Sequence, residues 1–284
     1  MRRLTAEDIQ ALIRLMGDSD ARTAAFARDK LLEAAVEDVL PHLKEAVSDA
    51  DPLVRGRARL FLEELRLADL NQRWERLAGQ SDSVLDLETG AFLVAKYRYP
   101  EVDMEPYRRW LDQQADAIAV HFDPALSMYR TIGLVNMQLF EKAGLQGDDV
   151  RYYDPDNSCL NRVIDRKRGI PITLSIIYIL VGRRLGLPLD GVGLPGHFLV
   201  RYSGQEESVF IDPFHRGRLL TREDCIRHVR AMGYPFREHF LKPLKARAIL
   251  VRMLGNLHRI YVETEQPVQA EHIKGFQDIL TQKG

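Results

Sequence analysis

Hydrophobic positions recur with a helical period along most of the chain. The period predicts helices through residues 1–70 and again over 85–143, with a break at 97–106 where two prolines interrupt the pattern. In the tail, 244–284, two further segments with the same period predict a pair of helices. The pattern therefore predicts a largely helical protein.

One central block, residues 148–243, departs from this amphipathic pattern. The segment 171–185, PITLSIIYILVGRRL, is apolar on nearly every side, so it predicts a helix inside the fold. HFLVRY (197–202) and ESVFID (207–212) predict the two strands of a β-hairpin. GLPL (186–189) ends the helix, and VGLPG (192–196) leads to the hairpin.

Within residues 1–70, two segments resemble each other. In 15–33 and in 46–64 a D-x-D turn precedes an amphipathic helix, and Asp18 corresponds to Asp49 at an offset of 31 positions. An aspartate in such a turn can cap the N-terminus of the helix. The repetition predicts a pair of HEAT-type helical repeats, with a plain helical bundle as the alternative.

The pattern also divides the chain into regions. NQRWERLAGQSDSV combines a glycine with a Ser-Asp-Ser run, which is typical of a connector. The tail resembles a single tetratricopeptide-like helix pair, and we expect it to pack on the core because one copy cannot form a groove. The predicted domains are HEAT-like helical repeats at 1–70, a connector at 71–84, a core at 85–243 and a helical tail at 244–284.

The composition argues against several classes of protein. The 284 residues are 45% hydrophobic and 29% charged with a net charge of −1, so no nucleic-acid partner is predicted. The longest apolar segment, 170–182, is shorter than the roughly 20 residues that span a bilayer, so no membrane contact is predicted. The N-terminal sequence has no apolar signal region, which favours a cytoplasmic location.

The hairpin carries the candidate chemistry. A turn at SGQE (203–206) would place Tyr202 opposite Glu207, and the same register would place His197 opposite Asp212. A carboxylate there can orient the imidazole, as in a Cys-His-Asp or Ser-His-Asp triad. The alternative is a structural His–Asp pair that closes the end of the hairpin.

Several motifs resemble the transglutaminase-like family of SirB-type bacterial proteins. They are YYDPDNS, RKRGIPITLSIIYILVGRRLGLPLDGVGLPGHFLVRY and FIDPF, with similar segments upstream at 87–103 and 139–149. The resemblance covers about 85–264 and implies a papain-like α+β fold, in which a buried helix packs on an antiparallel sheet. RMLGNLHRIYVE resembles the start of the family's tetratricopeptide extension.

The resemblance also implies site residues. In active members a G-x-C motif puts a cysteine nucleophile at the N-terminus of the buried helix, where the positive helix end favours thiolate. His197 and Asp212 match the family's histidine and aspartate. Gly169-Ile170-Pro171 stands where G-x-C is expected, so Pro171 occupies the place of the cysteine.

Three other side chains are candidate nucleophiles. Cys159 follows a probable cap at the start of a short helix, and Thr173 and Ser175 lie in the first turns of the buried helix. For each there is a structural alternative: Cys159 as a packed thiol, and the two hydroxyls bonded to the helix backbone. Cys225 is interpreted as a core cysteine.

No cofactor or metal is predicted. The spacing of Asp154, Asp156, Ser158 and Asp165 approaches a calcium loop, but Cys159 stands where the loop needs glycine. Two cysteines alone do not make a structural zinc site, and no phosphate-binding glycine motif stands in the required context. His215, close to Asp212 in the sequence, is interpreted as an exposed loop histidine, with a place in the same cleft as the alternative.

Three functions remain open. The first, which Pro171 favours, is a non-catalytic module that binds a protein or peptide in the cleft beside the buried helix. The second is an amide-bond hydrolase or acyl transferase that uses His197 and Asp212 with Cys159, Thr173 or Ser175. The third is a structural scaffold. The sequence does not specify an oligomeric state.

Overall fold

The computed structural model describes residues 4–204 and 208–282 and divides into two compact units, Met1–Gln72 and Arg73–Gly284. The first unit is helical. Its helices are α1 (Ala6–Met16), α2 (Ala21–Leu32), α3 (Val36–Ala46) and the first part of α4 (Pro52–Ala78).

The two D-x-D turns of the first unit have the same local structure. Asp18 Oδ1 accepts the backbone N–H of Asp20 at 2.8 Å, and Asp49 Oδ1 accepts that of Asp51 at 2.8 Å. Asp20 then caps α2, and the Asp51 carboxylate accepts the N–H of Leu53 in the first turn of α4. Both copies also bury equivalent apolar residues, which are Ala27 and Ala58, and Leu31 and Leu62.

Helix α4 continues further than the sequence pattern indicates. Residues 71–78, which the sequence assigns to a connector, are helical, and the break comes at Gly79. Trp74 is fully buried and stacks on Phe276 with ring centroids 5.8 Å apart, and Leu77 is also buried. Because these side chains are buried at helical spacing, the helix continues through them, although the glycine and the Ser-Asp-Ser run of the same segment predict a connector.

The second unit combines helices with one main antiparallel sheet, which confirms the predicted mixture of helix and sheet. Its helices after α4 are α5 (Leu87–Arg98), α6 (Glu105–Ala119), α7 (Met128–Asn136, continued by a π-helical segment to Lys142), α8 (Leu160–Arg166), α9 (Pro171–Arg184), α10 (Arg222–Ala231), α11 (Ala246–Glu263) and α12 (Pro267–Gln282). Its strands are β1 (Gln146–Gly147), β2 (Arg168–Gly169), β3 (Leu189–Leu194), β4 (His197–Ser203), β5 (Ser208–Asp212) and β6 (Arg218–Leu220).

Helix α9 forms the centre of the second unit. Every residue from Pro171 to Gly182 is buried, as its all-round apolar sequence predicts, and the helix packs against β3 and β4. The main sheet has the order β3-β4-β5-β6, while β1 and β2 form a short parallel pair. Helices α11 and α12 pack on each other. No helix in the described part of the chain is both long and apolar enough to cross a membrane.

Strand β3 lies between the buried helix and the hairpin, where the sequence pattern predicts no strand. LDGVGL pairs along its whole length with β4 although its two glycines have low strand propensity. Gly191 is required by packing, because a Cβ there would lie 2.8 Å from Cζ of Phe198 and 2.9 Å from Cδ1 of Ile249. Glycine in a strand commonly marks such a close approach.

The register of the β4–β5 hairpin is also a correction. Tyr202 pairs with Val209 and Ser203 with Ser208, so the ladder is shifted by two residues from the predicted pairing of Tyr202 with Glu207. Glu207 and two of the four residues of the predicted SGQE turn, Gln205 and Glu206, lie outside the described residues. A shift of two keeps every side chain on its predicted face, since side chains alternate with a period of two.

Candidate functional site

The end of β5 brings two histidines to one carboxylate. His197 Nε2 lies 2.8 Å from Asp212 Oδ2, and His215 Nδ1 lies 2.7 Å from the same oxygen. Asp212 also begins a 3-10 turn, in which its Oδ1 accepts the backbone N–H groups of Phe214 at 3.1 Å and His215 at 3.3 Å. The carboxylate is therefore fixed in orientation and uses both of its oxygens.

Burial and hydrogen bonding act in opposite directions on Asp212. Burial raises the pKa of its carboxyl group, but the hydrogen bonds and positive charge of His197 and His215 outweigh this and hold the pKa below its usual value. Asp212 is therefore an ionised acceptor at neutral pH. The His197 side chain is 9% exposed, whereas that of His215 is 59% exposed.

His197 is held by its ring neighbours as well as by Asp212. Its ring centroid lies 6.2 Å from that of Phe214 in an edge-to-face arrangement and 5.3 Å from that of His228. Burial, together with the charge of His197, lowers the pKa of His228, whose Nε2 lies 3.3 Å from the carbonyl oxygen of Pro195. With Nε2 bound to Asp212, Nδ1 is the His197 nitrogen left for a proton transfer.

A cleft with two lobes surrounds His197. The first lobe, of about 580 Å³, extends to Asp212 and His215, and the second, of about 420 Å³, extends to Arg252 and Arg259. The two lobes share five lining residues, Tyr152, Tyr153, Pro171, Gly196 and His197. The histidine thus lies at the junction of the lobes.

The resemblance predicts that Pro171 stands in place of a cysteine nucleophile. It is the first residue of α9. A backbone N–H at this position would have no acceptor within the helix, so proline, which lacks the N–H, loses no hydrogen bond there. Its side chain lines both lobes of the cleft with His197. A pyrrolidine ring has no nucleophilic atom, so the described cleft holds an oriented imidazole without the matching thiol.

Cys159 does not reach the cleft. It is fully buried at the start of α8, and its Sγ lies 3.8 Å from the carbonyl oxygen of Pro155. Burial raises the pKa of the thiol to about 12 and outweighs the opposing effect of Arg98. The structure therefore fits the packed-thiol alternative. Cys225 is also buried, with a pKa raised to about 12 mainly by burial.

Thr173 and Ser175 are also fully buried, and neither lines the cleft. Thr173 Oγ1 lies 2.9 Å from the carbonyl oxygen of Asn157, to which it donates, and accepts the N–H of Ile170 at 3.2 Å. Ser175 Oγ donates to the carbonyl oxygen of Phe198 at 3.4 Å. Both hydroxyls thus bond to backbone rather than to His197.

The carboxylate-rich turn at 154–158 is bound by cations of the protein itself. Asp156 accepts hydrogen bonds from Arg98 and Arg162, and Arg166 bonds to both Asp156 and Asp154. The carboxylates that the calcium-loop spacing would offer to an ion therefore hold α5 and α8 together.

Two histidines of the site have little signal in the sequence. His215 is exposed, as expected, but it bonds to Asp212 across the 3-10 turn, and the D-P-F-H spacing is the local sign of that contact. His228 lies on α10, where its neighbours give no indication of the cleft. Their approach to His197 results from the fold of the whole second unit.

Comparison with known proteins finds a matching family model and similar bacterial proteins. A family model described as the transglutaminase-like superfamily matches residues 105–255. A UPF0162 protein of Xylella fastidiosa is 38% identical over 199 residues, which cover 68% of this chain and 71% of the relative. A UPF0162 protein of Vibrio cholerae is 28% identical over 156 residues, covering 51% of this chain and 54% of the relative.

A eukaryotic relative matches a shorter region. The human F-box only protein 21 is 31% identical over 140 residues, which cover 45% of this chain and 21% of that protein. No solved structure matches the chain. The similarity therefore extends from bacterial proteins of comparable length to one segment of a much longer animal protein.

Proposed function

This chain belongs to the transglutaminase-like superfamily, and we propose that it is a non-catalytic member that binds a protein or peptide in the cleft around His197. The observation that carries the proposal is Pro171, which lines both lobes where active members place a cysteine. The candidate nucleophiles Cys159, Thr173 and Ser175 are buried and outside the cleft lining, which also supports binding rather than covalent chemistry.

The second lobe favours a ligand with a carboxylate. Arg252 stacks on Phe198, with its guanidinium carbon 5.7 Å from the ring centroid, and donates to the carbonyl oxygens of Leu194 and His197. No carboxylate among residues 4–204 and 208–282 forms an ion pair with it, and burial lowers the pKa of its guanidinium group. A partly buried cation without an acidic partner is suited to an anionic group of a ligand.

Arg259 is the more accessible cation of the same lobe. Its side chain is 71% exposed and lies 3.9 Å from Glu263, which is a weak surface pair. Asn256 and Gln277 add amide donors to the lining. An acidic peptide side chain or a terminal carboxylate would therefore find several donors in this lobe.

The test uses two fluorescent peptides that differ in charge, one rich in Glu and Asp and its Gln and Asn counterpart. We expect the acidic peptide to bind more tightly, and we expect Arg259→Ala to weaken its binding several-fold by removing an accessible cation. Fluorescence anisotropy at two salt concentrations measures both effects. Arg230→Ala, an exposed change on α10 outside the cleft lining, is the control.

The outcome that contradicts the peptide proposal is equal binding of both peptides to the native protein and to both arginine variants. In that case the contact would be non-specific. Binding by the native protein that is lost in Arg259→Ala and kept in Arg230→Ala supports the assignment to the second lobe.

A second candidate function is amide-bond hydrolysis or acyl transfer, favoured by the 2.8 Å contact between His197 and Asp212. An oriented imidazole has a role in such chemistry as a general base. Incubation of a glutaminyl peptide with the protein, followed by mass spectrometry, tests it. Release of ammonia, or cleavage of the peptide, would favour this candidate over binding alone if the activity is lost in His197→Ala.

A scaffold role is the third candidate, and His197→Ala separates it from the others. A scaffold would lose stability and keep its partners, whereas a binding cleft would lose peptide affinity at nearly unchanged stability.

We further propose that the chain is of the SirB type and cytoplasmic. The repeated aspartate turns support a HEAT-like character of the first unit, and the pairing of α11 with α12 supports a tetratricopeptide-like tail.

A further inference from the structure

We propose that His197, Asp212 and His215 bind a divalent transition-metal ion of the Zn²⁺ type in the first lobe of the cleft. The donor atoms of the three side chains lie within 4.8 Å of one another. Two imidazole nitrogens and one carboxylate oxygen are the ligands that such ions take in proteins. The sequence predicts no metal here, because the spacing of the three residues along the chain matches no common metal motif.

The carboxylate is arranged as a metal ligand would be. Its Oδ2 lies 2.8 Å from His197 Nε2 and 2.7 Å from His215 Nδ1. Its Oδ1 accepts two backbone N–H groups of the following turn. Outer hydrogen bonds of this kind fix the orientation of ligating carboxylates. The backbone therefore supports the ligand set independently of any ion.

The dimensions of the cluster require an adjustment. Bonds of about 2.0–2.1 Å to nitrogen and oxygen place two donors of a tetrahedral ion about 3.3 Å apart. The two short contacts to Asp212 would open by about half an ångström when an ion replaces the shared protons, and the two imidazole nitrogens, which lie within 4.8 Å of each other, would adopt the same spacing. His215 can supply this movement because its side chain is 59% exposed, while the buried Asp212 stays in place.

Three protein ligands leave a coordination position for water or a ligand group. The cluster lines the first lobe, so that position faces the cleft, as in metal sites that bind a substrate. Asp149 and Asp224 line the same lobe and add negative charge, whereas Arg218 opposes them. Asp224 is itself paired with Arg227, which offsets its charge.

His228 lies beside the cluster and is outside the proposed ligand set. Its ring centroid is 5.3 Å from that of His197, but its Nε2 bonds to the carbonyl oxygen of Pro195. The metal proposal does not depend on peptide binding, since Arg252 and Arg259 lie in the second lobe. Each proposal can therefore fail without the other.

The test uses the whole protein after treatment with a chelator, and Zn²⁺ or Co²⁺ alone as the probe. We expect isothermal titration calorimetry to give one ion per chain, and His215→Ala to weaken the affinity by about 10–100-fold. His215 is exposed, so this variant should fold, which thermal unfolding checks. His121→Ala, an exposed histidine after α6, is the control and should bind as the native protein does.

The visible spectrum of the Co²⁺ form gives a second readout. We expect bands of four- or five-coordinate Co²⁺ without a thiolate charge-transfer band, because Cys159 and Cys225 are buried away from the cluster. Absence of saturable binding, or equal affinities of the native protein and His215→Ala, would overturn the metal site. A thiolate band would overturn the assigned ligands.

Discussion

Pro171 and His197 line both lobes of one cleft from two different elements, the start of α9 and the start of β4. This relationship makes Pro171→Cys an informative change. The first position of a helix accepts any L-residue, so α9 should persist. We expect the new thiol to react with iodoacetamide at neutral pH at least about tenfold faster than an ordinary thiol, because the helix end and the imidazole favour thiolate.

The double variant Pro171→Cys, His197→Ala separates the effect of the helix end from that of the imidazole. If the imidazole activates the thiol, alkylation followed by intact-mass spectrometry should slow markedly in the double variant. Equal rates with and without His197 would mean that the residue at position 171 does not reach the histidine. The native cysteines provide an internal reference in the same sample.

The native cysteines should be almost inert. Because burial raises the pKa of both Cys159 and Cys225 to about 12, neither forms appreciable thiolate near neutral pH. We expect alkylation of either residue only after unfolding, with no change in His197→Ala. Peptide mapping after reaction at neutral pH measures each site, and rapid labelling of Cys159 that depends on His197 would contradict the packed-thiol assignment.

Asp156→Asn should destabilise the second unit. The carboxylate accepts hydrogen bonds from Tyr99, Arg98 and Arg162, and its side chain is 14% exposed. Asparagine keeps one acceptor oxygen but removes the charge and places an NH2 donor against the remaining donors, and we expect a loss of about 1.5–3 kcal/mol in the free energy of unfolding. Urea denaturation at neutral pH measures it, and Asp116→Asn, an exposed change on α6, should have little effect.

The same residue predicts a dependence on pH. Burial raises the pKa of Asp156, but the hydrogen bonds from Tyr99, Arg162 and Arg98 outweigh it and hold the pKa below 3.8. A carboxyl group with a lowered pKa in the folded state stabilises the protein above its unfolded pKa of about 3.9 and loses that effect as the pH falls. The difference in stability between the native protein and Asp156→Asn should therefore shrink as the pH falls below the unfolded pKa of about 3.9.

Gly191→Ala and Gly133→Ala should have opposite effects. A Cβ at Gly191 would meet Phe198 and Ile249 within 3 Å, and we expect overpacking to cost about 1–3 kcal/mol. A Cβ at Gly133, on an exposed part of α7, meets nothing within 4 Å, and alanine there should stabilise by about 0.5–1 kcal/mol. Thermal unfolding of both variants tests whether β3 depends on this close approach.

Much of the fold could be predicted from the sequence because its strongest patterns are local. The all-round apolar sequence of α9 indicates a buried helix, and the two short segments HFLVRY and ESVFID indicate a hairpin. Strand β3 could not be predicted, because its glycines satisfy a packing requirement set by residues distant in the sequence. The extension of α4 to Ala78 likewise depends on the burial of Trp74 against Phe276.

The candidate site was predicted in part. The predicted contact between His197 and Asp212 exists. The register used to predict it was wrong by two residues, so the two side chains are diagonal neighbours and not a directly opposed pair. A shift by an even number of residues keeps both side chains on one face. A place for His215 in the cleft was an alternative because His215 follows Asp212 closely, but its contact with Asp212 depends on the turn after β5. The position of His228 could not be predicted, because it depends on the placement of α10.

The main sheet also bears on how the protein resists aggregation. At one edge, Leu244 donates its N–H to the carbonyl oxygen of Gly191 at 2.8 Å and covers the middle of β3. At the other edge, β6 is only three residues long. Short or covered edges give a second chain little backbone to extend by strand pairing. Self-association into β-rich aggregates would therefore require the sheet to open first.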